Sequence, residues 1–421
     1  MQGLIIIFFI LSFASFCSCN TRLLDAVSSK SIFNVMEYGA VGDGLTDDSQ
    51  AFLKAWSDAC GISDSFGTLE VPNGNTFMLK PITFNGPCKF SEVHFKLEGN
   101  IVAPSSTEAW TENVDKNRWI QFTNVTSLVM NGGGQIDGQG SIWWKICKDD
   151  SCQRPKALSF KNCNKLQLSA IQHINSAKGH ISITSCVQTR IRDLIITAPE
   201  DSPNTDGIDI NESKDIIIQN CTIATGDDCI AMNKGTSNIN ITAITCGPGH
   251  GISIGSLGKN GDFATVENVY VNNCTFKGTT NGVRIKTWPE GYGYVRNVTF
   301  NKIRLYNTRN PIIINQNYKD KQEEGKGFEI NGVTYQDVSG TSATSVAINL
   351  GCNSNGGGCT NIIMDTVNLT SISSNKVVTA SCTNVKGQET QVSPKVPCLT
   401  EKPPSTLIGA GIRTGESNTR L

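Results

Sequence analysis

Ile216-Ile217-Ile218-Gln219-Asn220-Cys221-Thr222-Ile223 is followed, 23 residues on, by Ile239-Asn240-Ile241-Thr242-Ala243-Ile244-Thr245-Cys246. Both segments read apolar, any, apolar, two any, apolar, any, apolar. The pattern extends in both directions. Leu166, Leu168 and Ile171 come first, then Ile191, Leu194 and Ile196, with Thr189 in the leading slot. Val269, Val271, Cys274 and Phe276 follow, then Val298, Phe300, Ile303 and Leu305. Phe328, Ile330, Val333 and Tyr335 come next, and Ile362, Met364, Val367 and Leu369 close the series. Each unit is two short strands of period two separated by a break. β-Branched aliphatics dominate, which favours strand over helix. A unit this small cannot bury its own apolar face, whereas stacked units share a continuous core. The Leu-x-x-Leu-x-Leu spacing of leucine-rich repeats is absent, and the units are too short for propeller blades. The expected fold is therefore all-β, a parallel β-helix in one domain.

The remaining chain fits that frame. Met1 to Cys19 carries the eight-residue apolar run Leu4–Leu11 followed by small residues. This run is too short to span a bilayer, which takes ~20 residues, and reads as a secretory signal over residues 1–22. The solenoid is expected over 23–400, with a polar tail over 401–421. Thr46-Asp47-Asp48 precedes Phe52, Ala55, Trp56 and Ala59 at helical spacing. That pattern predicts a short helix, N-capped in this triplet, covering the first coil.

Composition narrows the function. Net charge is −1, so the basic footprint of a nucleic-acid binder is missing. Four His make a multi-histidine metal site improbable, and neither metal nor cofactor is expected. Forty Gly point to many turns. Sixteen Cys leave fourteen once Cys17 and Cys19 depart with the signal. In an oxidising compartment an even set reads as disulfides. Cys147 with Cys152 and Cys352 with Cys359 look locally paired; the connectivity of the others stays open. Asn-x-Ser/Thr sequons at Asn124, Asn211, Asn220, Asn240, Asn273, Asn297 and Asn368 suit a glycosylated secreted protein.

Four polar clusters interrupt the solenoid: Asn204-Thr205-Asp206, Gly226-Asp227-Asp228, Gly249-His250-Gly251 and Arg284-Ile285-Lys286. Asp206 to Asp228 and Asp228 to His250 are 22 residues each, and His250 to Arg284 is 34. Each step is near one local repeat, and neighbouring coils lie ~4.8 Å apart. Three carboxylates, an imidazole and two cations should thus share one face. Crowded carboxylates repel, so at least one should keep its proton. A protonated and an ionised carboxyl together can hydrolyse a glycoside, and cations beside them would hold an anionic sugar.

Taken in order, these motifs resemble those of the polygalacturonases, the family 28 glycoside hydrolases. The likeness covers roughly residues 31–400. It includes Ser202–Ile208, Thr225–Ile230, Cys246–Ser256 and Gly282–Trp288, along with Gly42–Asp48 and Asp137–Gly140. The resemblance implies a right-handed parallel β-helix that hydrolyses α-1,4 bonds of pectin with inversion. By position, Asp227 would be the general acid, and Asp206 and Asp228 would activate water. His250 would stand beside the acid and keep it protonated by hydrogen bonding. Arg284 and Lys286 would bind the sugar carboxylate, with Asn204 and Tyr318 as further substrate contacts. Cys229 and Cys246 resemble a family disulfide. Lys319 stands where the family often has Cys, which removes one local bridge. Homogalacturonan is the implied partner, inhibitor proteins are a further class, and a monomer acting outside the cell is expected. Endo action is favoured over exo without being decided. A rhamnogalacturonan or xylogalacturonan hydrolase, or an inactive pectin-binding homologue, stays as an alternative.

Overall fold

The computed structural model describes residues 31–110, 116–147, 152–320 and 325–402. The predicted signal (1–22) and the tail beyond Lys402 lie outside these. Strands wind into one right-handed solenoid, the hand that parallel crossovers take. Its walls are an 11-stranded sheet and a 22-stranded sheet. Every pairing between described strands in the central coils is parallel.

The repeat read from sequence is the ladder of the larger sheet. Leu168, Ile191, Ile218, Ile241, Val271, Phe300, Tyr335 and Met364 stack one upon the next. One register differs from expectation. Val298 pairs with Val333, not Phe328, and Phe300 with Tyr335. The strand Gly327–Ser342 runs 16 residues without a break, so two phases of the same alternation compete. The wrong phase looked better because the true fourth slot holds Gly340, paired with Leu305. The smaller sheet carries its own ladder: Ile181, Ile208, Ile230, Ile252, Val283, Ile312 and Ile348. All seven are fully buried, and each contributes roughly 1.5–3 kcal/mol by leaving water.

Helix Ser49–Gly61 closes the N-terminal end, as expected. Phe52 packs edge-on to Phe77, and Trp56 against Phe84 and Phe122. Asp48 is the N-cap residue but its side chain does not cap the helix; Asp47 before it accepts the Ser49 N–H at 3.1 Å and its hydroxyl at 2.6 Å. Asp48 instead accepts the Val41 and Gly42 amides. At the other end, Thr400–Glu401 still pairs with Gln388 and Glu389.

Ten cysteines form five disulfides: 60–88, 147–152, 229–246, 352–359 and 382–398. The even-set expectation fails for the other four, because Cys163, Cys186, Cys221 and Cys274 are free and buried. They fill core positions as small apolar side chains. Cys274, for instance, stacks on Ile303. Among the described residues, no helix is long and apolar enough to cross a membrane.

Candidate active site

The four polar clusters converge on the entry edge of the smaller sheet. Strands Ile208–Asn211, Ile230–Met232, Ile252–Leu257 and Asn281–Thr287 are successive neighbours there. Ile208, Ile230 and Ile252 are in register. Asp206, Asp228 and His250 each stand two residues before them, so they occupy one column on three coils. The 22-residue spacing is this register. Arg284 pairs with Ser253 in the next coil, and Lys286 follows two residues on, on the same face.

Glycines make the approach feasible. At Gly251 (φ +88°) a Cβ would sit 2.3 Å from the Asn281 carbonyl, and at Gly249 (φ +147°) 2.9 Å from that of Asp227. His250 is thereby brought over Asp227. Its N–H donates to the Asp227 carbonyl at 2.8 Å, and its Nδ1 lies 2.9 Å from Asp227 Oδ1. The His250 and Asp227 side chains are 38% and 19% exposed. Both therefore face solvent, while Asp228 is sealed.

Asp228 is surrounded by donors. Oδ1 accepts from Ser253 Oγ at 2.8 Å and Arg284 Nη2 at 2.6 Å, and Oδ2 from Lys286 Nζ at 2.7 Å. Arg284 Nε also donates to Ser253 Oγ. Lys286 is 6% exposed, so its charge is nearly enclosed against Asp228. Tyr318 joins the site: its ring lies 5.3 Å from Lys286 Nζ and stands edge-on to Trp288. Asn204 (φ +53°) has its side-chain oxygen held by Arg154 Nη2 at 2.6 Å.

The expected raised carboxyl is Asp206. Burial pushes it well above the ordinary range, and the charges of Asp209, Asp227 and Asp228 push it further, against Lys286. Asp227 goes the other way. Burial raises it, but the hydrogen bond and charge of His250, with Lys286 behind, hold it at about 2. This direction is opposite to the expectation that His250 keeps Asp227 protonated. Ionising Asp206 is harder in the fold than in the unfolded chain. Its cost is absent below about pH 4 and grows as pH rises toward the raised value. Asp206→Asn removes that cost. Its thermal midpoint should exceed wild type at pH 7, and the gap should shrink toward pH 4. A gap independent of pH in thermal melts would contradict this.

Asp227, Asp228 and His250 place one ligand atom each within 4.8 Å of one another. Both Asp228 oxygens already face cations, which suits an anion better than a metal.

Sequence reasoning missed several residues here. Ser253, Trp288, Arg154 and the Lys156–Asp209 pair (2.7 Å) left no separate signal, although the first two lie inside the quoted motifs. Next to Asp206, a cavity of about 340 Å³ is lined by Arg118, Arg154, Lys156, Lys178, Asp209 and Asn211. A larger depression of about 570 Å³ lies on the 22-stranded sheet around Lys165, Arg190 and Asp215. It holds none of the clustered carboxylates. Of the seven sequon asparagines, Asn211 alone is not exposed.

The profile of glycosyl hydrolases family 28 matches residues 61–394. The chain belongs to this family. A "probable polygalacturonase" of Arabidopsis thaliana is 47% identical over 393 residues, covering 91% of this chain and 84% of the relative. Polygalacturonase-2 of Solanum lycopersicum is 41% identical over 363 residues, covering 84% and 78%. Among solved structures, an endo-xylogalacturonan hydrolase of Aspergillus tubingensis aligns with a TM-score of 0.74 at 26% identity, covering 89% and 99%. An exopolygalacturonase of Thermotoga maritima aligns at 0.68 with 20% identity, covering 81% and 87%, which speaks to the family 28 fold alone. The clustered carboxylates thus sit on the β-helix that the resemblance implied, and Cys229–Cys246 lies directly beneath them.

Proposed function

We propose that this family 28 chain is a secreted polygalacturonase that hydrolyses α-1,4-galacturonosyl bonds of pectin with inversion. The observation carrying the reading is the 2.9 Å Asp227–His250 contact beside Asp228, Arg284 and Lys286. Asp227 protonates the leaving oxygen as the general acid. When Lys286 engages a sugar carboxylate, its charge no longer holds Asp227 down, which favours the protonated acid. Water attacks the anomeric carbon from the opposite face. Asp206 and Asp228 together activate this water and take up its proton. Arg284 and Lys286 hold the galacturonate carboxylate, with Tyr318 and Asn204 along the same cleft. Four cations around the neighbouring 340 Å³ cavity suit a polyanion. Five disulfides support an oxidising, extracellular setting.

The test is hydrolysis of pectins of equal length and graded methyl esterification. Rate should fall as esterification rises, because a neutral ester leaves Arg284 and Lys286 facing no charge. New reducing ends should appear without an unsaturated product and without added calcium. A flat response to esterification, or preference for xylogalacturonan, would move the chain to the competing substrate named by its 26% identical structural neighbour. Viscosity falling faster than reducing ends appear would mark endo action, the expected mode.

A further inference from the structure

We infer that His180, together with Arg154, is a positioning residue for Asp206, holding the turn that aims its carboxylate into the cleft. This rests on the base role given to Asp206 above. His180 is fully buried in the coil before Asp206. Both its backbone N–H (2.8 Å) and its ring Nδ1 (3.0 Å) reach the Asp206 carbonyl oxygen. On the other side of the ring, Nε2 lies 3.3 Å from the Ser176 N–H. A backbone N–H can only donate and a carbonyl can only accept. The tautomer is therefore determined: Nδ1 carries the hydrogen and Nε2 accepts. Burial keeps this ring neutral, lowering it to about 4 against the raising effect of the Asp206, Thr197 and Thr205 backbone. His173, edge-on at 5.0 Å, is buried and offers its neighbour no charge.

Arg154, 2% exposed, grips the same turn one step earlier. Nη1 donates to the carbonyls of Pro203 (2.6 Å) and Ala177 (3.3 Å), and Nη2 to Asn204 Oδ1 (2.6 Å). From the following coil the Gly226 N–H donates to Thr205 Oγ1 at 2.9 Å. The 203–206 turn is thus tied to coils on both sides. With the Asp206 carbonyl fixed, the plane of the 206–207 peptide and the direction of the Asp206 side chain follow. Among the described residues no side-chain hydrogen bond reaches the Asp206 carboxylate itself, so its aim depends on this backbone anchor. Neither His180 nor Arg154 needs to touch the sugar at the reacting bond.

Two amide variants separate positioning from bulk. In His180→Asn the side-chain nitrogen falls where Nδ1 stood and can still donate to the Asp206 carbonyl. In His180→Gln it falls near Nε2 and cannot. The Gln variant should lose about tenfold or more in kcat, since ångström-scale misplacement costs up to ~10²-fold. KM should stay within about twofold. The Asn variant should retain kcat within about threefold, with thermal midpoints of the two alike. Equal kcat in both variants, at any level, would overturn the inference. If the Gln variant does not fold, Arg154→Lys carries the same test. It keeps the charge but cannot reach Pro203 and Asn204 together, and unchanged kcat there would also overturn the inference. Asp206→Asn run alongside separates the two readings. If it stays active, the base assignment fails. If it is inactive while the two His180 variants match, only the positioning role fails.

Discussion

Asp227→Asn should lower kcat by about 10²–10⁴-fold, the range for removing a general acid, and leave KM nearly unchanged. Asn keeps the shape of the side chain and can accept the Asp228 N–H now donated to Asp227 Oδ1 at 2.8 Å. The turn should therefore persist. What disappears is the acidic oxygen facing the leaving group. His250 cannot replace it, because its Nδ1 points at residue 227 rather than at the sugar. Substrate holding is assigned to Arg284 and Lys286, which the substitution does not touch, so the loss belongs in kcat. Steady-state kinetics on polygalacturonate would check this, with circular dichroism for the fold. A variant keeping more than a tenth of wild-type turnover would remove Asp227 from the acid role.

Lys286→Met should damage both activity and stability. Lys286 and Asp228 are 8% and 1% exposed at their side chains and 2.7 Å apart. Met replaces the lysine stem closely in volume, so packing is largely kept. The buried carboxylate, however, is left with Arg284 and Ser253 alone. Breaking a buried pair by removing one partner costs about 3–5 kcal/mol; Arg284 remains at 2.6 Å, which places the expected loss at the low end. A drop of several degrees in thermal midpoint should result. Activity on unesterified polygalacturonate should fall at least as steeply, through loss of the sugar-carboxylate contact. The two effects separate by substrate: on highly esterified pectin the variant should approach wild-type activity. Equal loss on both substrates would assign Lys286 to stability alone.

The solenoid was legible because its signal is local and repeated. Apolar residues at fixed offsets in each coil must face the interior, and the ladders from Leu168 to Met364 follow. The same pattern held a clue to the free cysteines. Cys221 and Cys274 stand in slots that other units fill with Leu, Ile or Val, and a side chain in a core slot points away from a surface bridge. Counting an even set overrode that clue. The site's column was also legible, because a 22-residue spacing on a coil of that length is a register statement before it is a structural one.

Electrostatics were not legible, because a titration shift depends on distances and burial that no motif encodes. Asp206, Asp227 and Asp228 are the same residue type within 23 positions. Yet one is raised, one is held at about 2, and one is clasped between two cations. Nothing in the Arg-Ile-Lys motif marks Lys286 as buried, yet its ammonium lies 2.7 Å from Asp228 and is nearly enclosed. His180 and Arg154 lie 26 and 52 residues before Asp206, in segments whose local pattern marks only strand and loop. Sequence alone determined the coil, its period and the face on which the polar residues meet, since those follow from side-chain alternation along one strand. Which carboxyl is raised and which is held down, which cation is buried and what anchors the turn were decided by tertiary structure, because each depends on groups brought together from different coils.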